Sequence, residues 1–188
     1  MSESDKLCYY SKSKHVDAGS GCNEFVGNPN DLYSELIASN SINNNSKYEE
    51  LNKIKDWRRI LSNFYVEPFE YEGNIYNSVE HAFQSCKIRL ANKEMANYFT
   101  VGSNHYIGLG DGSLAQRSRK IVVLSKSQIR NWDCIKYNIM IQITLQRILQ
   151  STKYKKILLL TGNAELWHVI SRNGVIRNKY LEELRDAI

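Results

Sequence analysis

Ser78-Val79-Glu80-His81-Ala82-Phe83-Gln84-Ser85-Cys86-Lys87-Ile88-Arg89-Leu90 carries more structural information than any other stretch of the chain. Val79, Ala82, Phe83, Cys86 and Leu90 recur at helical spacing and make one apolar stripe. Glu80, Gln84, Lys87 and Ala91 fall on another face. Asn77 stands where an N-cap is expected, and Glu80 three residues later completes a capping box with it. On pattern alone that second face reads as solvated. The same pattern also lines up a carboxylate, an amide and an ammonium along one side of a helix.

Just upstream, Ile60-Leu61 lead into Ser62-Asn63-Phe64-Tyr65. Phe69-Glu70-Tyr71 and Ile75-Tyr76 then flank Glu72-Gly73-Asn74, which signals a β-hairpin. Downstream, a helix is expected over about Asn92–Phe99. Gly102, Gly108, Gly110 and Gly112 mark a loop, and Ser113–Lys120 reads as a short helix. Arg130–Gln150 is the longest helical pattern, apolar on most sides, and is expected at the centre of the fold.

Further out, Leu7–Tyr10 reads as a strand, Asn28-Pro29 opens a helix and Tyr48–Asp56 forms another. Ser39–Ser46 is an Asn/Ser-rich surface loop. Lys155–Leu160 closes at Thr161-Gly162, Glu165–Ile170 alternates like a strand, and Asn178–Ile188 forms a last helix.

The 188 residues fit one domain, which buries roughly 70% of its unfolded surface and needs neither disulfide nor metal. No apolar run is long enough to span a bilayer. The first six residues lack a basic n-region and an apolar h-region, so no secretory signal and a cytoplasmic location are expected. The net charge of +5 fits a phosphate-bearing ligand or nucleic acid, and equally a solvated surface with a modest Lys excess. Cys8, Cys22, Cys86 and Cys134 make no C-x-x-C pair, and no His stands at zinc-finger spacing from them; they read as reduced packing residues. No metal and no cofactor is called for.

Arg130-Asn131-Trp132-Asp133 with Lys136 is a second constellation. Trp132 is expected in the first turn of its helix, where an indole either stacks on a base or fills the core. Asp133 lies beside it. The glycines of Gly19-Ser20-Gly21 and Gly108-Leu109-Gly110-Asp111-Gly112 match no nucleotide fingerprint and read as turns. His81 points to a different face from Glu80. His168 reads as structural.

Together, Ser62-Asn63-Phe64-Tyr65, Pro68-Phe69, Gly73, and Ser78-Val79-Glu80-His81-Ala82-Phe83-Gln84 with Lys87 resemble the signature of the NADAR family, also called YbiA-like. Arg130-Asn131-Trp132-Asp133 with Lys136 and Met140 is similar to its later R-x-D-W-[DE]-x-x-K-x-x-M block. Ala115–Lys120 resembles a family helix, with Ser118 where Gly is usual. The resemblance runs from about Tyr9 to the end. It departs at Trp167–Gly174, which lacks the family's Gly-rich loop, and at the stretch 39–47, which reads as an insertion.

The resemblance implies a mainly α, multihelical single domain with a few short strands. It also implies hydrolysis of a ribosyl N-glycosidic bond. The first expectation is removal of ADP-ribose from a nucleobase in DNA or RNA. The alternatives are cleavage of phosphoribosylamino-pyrimidine intermediates of riboflavin synthesis, and a non-catalytic module that holds ADP-ribose. Under that resemblance Glu80 is the catalytic carboxylate and Asp133 the second acid. Trp132 stacks on the base, with Trp167 standing in for a missing family Trp. Lys87, Arg119 and Arg130 bind phosphate, Asn63 and Gln84 fix ribose hydroxyls, and Phe64 belongs to the substrate site. Independently of the resemblance, the Gly-rich backbone around Gly110, next to clustered Arg119 and Lys120, is expected to border the phosphate site.

Overall fold

The computed structural model describes residues 5–13, 18, 45–170 and 174–188. The expected helix after Asn28-Pro29, the Gly19–Gly27 loop, Cys22 and most of the 39–47 stretch lie outside them. Contacts divide the chain into two units, residues 1–62 with 153–188, and residues 63–152.

The second unit opens with the hairpin. β2 (Phe69–Tyr71) pairs with β3 (Asn74–Tyr76), Tyr71 facing Asn74 across a two-residue turn. Glu72 and Gly73 have φ of 49° and 75°, the signs a type I′ turn requires at both central positions. Alternation puts Phe69, Tyr71 and Tyr76 inward, where they meet Val79, Ala82 and Ile143.

Helix α3 (Val79–Arg89) follows at once. Its N-cap is Ser78, not Asn77: Ser78 is extended, and its hydroxyl accepts from the His81 N–H. The Asn77 amide instead donates to the Gly110 carbonyl at 3.3 Å, so the expected Asn77–Glu80 capping box does not form. After α3 come α4 (Lys93–Asn97, capped by Asn92), α5 (Gly112–Arg117, capped by Asp111) and a 3-10 turn over Ser118–Lys120.

The long helix α6 runs Lys126–Gln150 and starts earlier than the apolar pattern indicated. Ser125 and Gln128 form a reciprocal capping box there, which places Trp132 in the second turn instead of the first. Nor is α6 enclosed on most sides. Ile143, Thr144, Arg147 and Ile148 are buried, whereas Ile129, Tyr137 and Leu149 are exposed. One face packs on α3 and β2.

Two glycines fix how the 105–112 loop lies. A Cβ on Gly108 would come within 2.1 Å of the Thr100 carbonyl oxygen, and one on Gly112 within 2.4 Å of the Phe64 Cα. These glycines are required by backbone-on-backbone packing. Gly112→Ala should therefore cost about 1–3 kcal/mol, because the atoms in the way cannot swing aside. A lower denaturant midpoint at unchanged m is the expected reading.

In the other unit, β4 (Glu165–Ile170) is the middle strand of three. It runs parallel to β1 (Lys6–Tyr9) and antiparallel to β5 (Gly174–Arg177). α1 (Glu49–Asn52), α2 (Trp57–Ile60), α7 (Thr152–Leu160) and α8 (Lys179–Asp186) supply Leu51, Trp57, Ile60, Tyr154, Ile157 and Leu181 to its interior. The helix expected over Tyr48–Asp56 is interrupted, since Asp56 adopts a left-handed φ of 60° before Trp57 restarts it. Arg177 ties β5 to Glu165 and Glu182 at 2.8 Å each.

Candidate active site

The first turn of α3 carries four orphan N–H groups, and their partners build the site. The Glu80 N–H donates to the Asn63 carbonyl at 3.0 Å, which docks the Asn63-Phe64 segment on the helix start. His81 is fully buried. Its Nε2 lies 2.9 Å from the Ile107 carbonyl and its Nδ1 2.8 Å from the Ser78 hydroxyl. A carbonyl only accepts, so Nε2 carries the proton and Nδ1 accepts from Ser78. Burial pushes the His81 pKa down, which keeps this neutral tautomer. His81 is a brace joining α3 to the 105–112 loop.

Glu80 and Gln84 do not face solvent. They are 7% and 5% exposed, and the Gln84 amide donates to Glu80 Oε1 at 2.8 Å. Burial raises the Glu80 pKa above the usual carboxylate range, while the Gln84 hydrogen bond and the charges of Arg119 and Lys87 pull it the other way. The result is a carboxyl held in one place by one amide, at reduced dielectric, with two cations within electrostatic reach. Gln84 Oε1 is buried and has no hydrogen-bond partner, so a hydrogen-bond acceptor stands beside the carboxyl.

Asn63 is half-buried and its amide reaches Met140 Sδ at 3.5 Å. Phe64 is half-buried, with its backbone against Gly112. Lys87 is half-buried further along α3. Arg119 is exposed on the turn after α5, and the Gly110 carbonyl is held by Asn77. The structure thus brings Asn63, Glu80 and Gln84 together, with Lys87 and Arg119 acting on the same carboxyl.

Other expected residues sit differently. Asp133 is exposed and paired with Lys136 at 2.7 Å, an i,i+3 surface contact that leaves it outside the buried Glu80–Gln84 pair. Arg130 is exposed on α6. Trp132 is 5% exposed and packs on Phe83, ring centroids 4.8 Å apart, so its indole has little open face for a base. Trp167 lies in the other unit, where it packs with Cys8 and Val169 and donates to Glu165 at 2.9 Å. Ser78 and the Ile107 carbonyl were missed as supporting groups. Ser three residues before a His in a helix start was the available signal for the first; nothing in the sequence marked the second. Among the described residues, no group of three or more His, Cys, Asp or Glu is placed to hold a metal ion. No helix among them is long and apolar enough to cross a membrane.

The fold is similar to the NMR structure of the E. coli protein YbiA, with a TM-score of 0.54 and 21% sequence identity. The match covers 69% of this chain and 77% of that one. No family model and no curated protein matches the chain.

Proposed function

We propose that this chain, mainly helical and YbiA-like in fold, belongs to the NADAR family and hydrolyses the N-glycosidic bond of an ADP-ribosyl group carried on a nucleobase of DNA or RNA. The observation that carries the reading is the Glu80 carboxyl: buried, fixed by Gln84, raised in pKa and biased by Lys87 and Arg119.

Breaking the C1′–N bond sends its electron pair to the base nitrogen and leaves positive charge on the ribose ring. An ionised Glu80 stabilises that oxocarbenium-like state and takes a proton from the water that adds to C1′. The base nitrogen gains a proton as it leaves, so charge and atoms balance. The resemblance assigned this protonation to Asp133; its exposed pairing with Lys136 favours solvent as the donor instead. The unpartnered Gln84 Oε1 suits a ribose hydroxyl, which donates into it. Arg119 and Lys87 suit the diphosphate.

Incubation with an ADP-ribosylated single-stranded oligonucleotide and, in parallel, a phosphoribosylamino-pyrimidine tests the reading. Release of ADP-ribose from the first, with the second untouched, is the expected outcome. Turnover of only the second assigns the riboflavin intermediates instead, and binding of ADP-ribose without turnover of either assigns a module. At a pH where Glu80 is fully ionised, Arg119→Gln should raise KM about tenfold with kcat little changed, since a phosphate contact is made equally in ground and transition states. Loss of the Arg119 charge should also move the onset of turnover to higher pH.

A further inference from the structure

On the side of α3 opposite Glu80, a cavity of about 180 Å³ opens between β3, α3 and α4. Its walls include Asn74, Tyr76, Ser85, Arg89, Lys93 and Asn97. Among the described residues, no acidic one lines it. Its floor is polar but satisfied: the Tyr76 hydroxyl lies 3.3 Å from Ser85, and Ser85 donates to the Ala96 carbonyl at 2.9 Å. The rim is cationic. Arg89 reaches in from α3 with one nitrogen on the Tyr76 hydroxyl at 3.3 Å. Lys93 adds an exposed ammonium from α4, and Asn97 an amide one turn on.

We propose that this cavity is a second anion site, built for a phosphate group and separate from the Glu80 centre. Two cations from different elements balance a phosphate's charge, and the Asn97 amide of α4 supplies a further donor, while the Asn74 amide already donates to the Glu72 carbonyl at 3.1 Å. A guanidinium matches two oxygens of a tetrahedral anion at once, and an ammonium a third. The volume is enough for such a group. Glu72 acts as the resident counter-ion: it holds the Arg89 guanidinium at 2.7 Å without lining the cavity. Phosphate entering the cavity competes with Glu72 for Arg89. A free phosphate ion and a nucleic-acid backbone offer the same chemistry, so the source is read from the experiment.

Titrating the full chain with inorganic phosphate and with an unmodified single-stranded oligonucleotide, by calorimetry or amide chemical shifts, tests the site. Shifts centred on Asn74, Tyr76, Arg89, Lys93 and Asn97, with Glu80, Gln84 and Arg119 unmoved, are expected in at least one arm. Arg89→Gln with Lys93→Gln should weaken that arm about tenfold or more, since both charged partners are gone. Glu72→Gln should tighten it, by about threefold, because the competing carboxylate is removed. Saturation by inorganic phosphate alone assigns a free anion; much tighter oligonucleotide binding, lost in the same variants, assigns a backbone phosphate. Lys93 is exposed, so Lys93→Gln alone serves if the double variant does not fold. Affinity unchanged in Lys93→Gln and Glu72→Gln overturns the site. So does binding that is lost in Arg119→Gln but kept in Lys93→Gln, which would place the anion at the other centre. The two readings fail independently, because absence of glycosidase turnover leaves the titration untouched.

Discussion

Glu80→Gln should lower kcat by about 10²–10⁴-fold while the protein stays folded, the range expected when a positioned acid or base is removed. Gln keeps the side chain's shape, and its carbonyl still accepts from the Gln84 amide across the 2.8 Å contact. What it lacks is the charge and the basic oxygen. If the carboxylate acts chiefly in the transition state, KM changes little. The stability effect runs in the opposite direction. Glu80 has a folded-state pKa raised by burial, so in the window above the ordinary carboxylate pKa the folded chain holds a proton that the unfolded chain has released. Folding stability therefore falls as pH rises through that window. Gln carries no such penalty, so Glu80→Gln should melt at or above the wild-type temperature at neutral pH. Wild-type turnover should rise with pH across the same window, since only the ionised form faces a cationic ribose. Measuring kcat and Tm on one preparation separates the roles, and a variant with wild-type turnover defeats the catalytic assignment.

Trp132→Ala should cost about 3–5 kcal/mol of stability, typical of removing a large buried aromatic. The indole is 5% exposed and packs on Phe83 with the rings tilted by 60° and their centroids 4.8 Å apart, joining α6 to the helix that carries Glu80. A drop of this size takes much of the stability of a domain, and urea unfolding reads it directly. Affinity per folded molecule should be nearly unchanged. Trp132→Phe should recover most of the stability, because an aromatic ring still fills the space against Phe83. If Trp132→Ala instead folds normally and binds ligand tenfold more weakly, the indole is a stacking surface and not a packing residue.

The hairpin was legible because local rules and packing agree there, and the existence of α3 was legible from its apolar stripe, but its cap was assigned to Asn77 where Ser78 holds that place. Gly73 supplies the positive φ that the turn needs, and alternation sends Phe69, Tyr71 and Tyr76 inward. The burial of Glu80 was not legible. Helical phase separates an apolar stripe from a polar one, but it does not say how many neighbours a helix has, and α3 is covered on both stripes. A clue was present: Ile88 continues the line of Glu80 and Gln84 at i+8 and is itself fully buried. The onset of α6 was missed because hydrophobic period marks where a helix packs, whereas the Ser125–Gln128 box marks where it begins. Trp132 and Asp133 were read as one unit because they are adjacent. Successive helix residues point 100° apart, so one became core and the other surface. The YbiA-like fold was reached through motif resemblance, which periodicity alone could not have supplied.

The brace described at His81 has a kinetic meaning. The imidazole spans from Ser78 to the Ile107 carbonyl, Asn77 holds Gly110, and Gly112 is pressed on Phe64. The first two links join the 105–112 loop to the helix start that positions Glu80, and the third joins it to the Asn63-Phe64 segment bonded to that start. Loop and helix start therefore open as one cooperative segment, and a fluctuation of either alone must break several of these links at once. The ordering entropy of the site falls on folding and not on binding. A ribosyl ligand meets a carboxylate already oriented, and any lag in its binding should report only the opening that exposes the buried Gln84 Oε1.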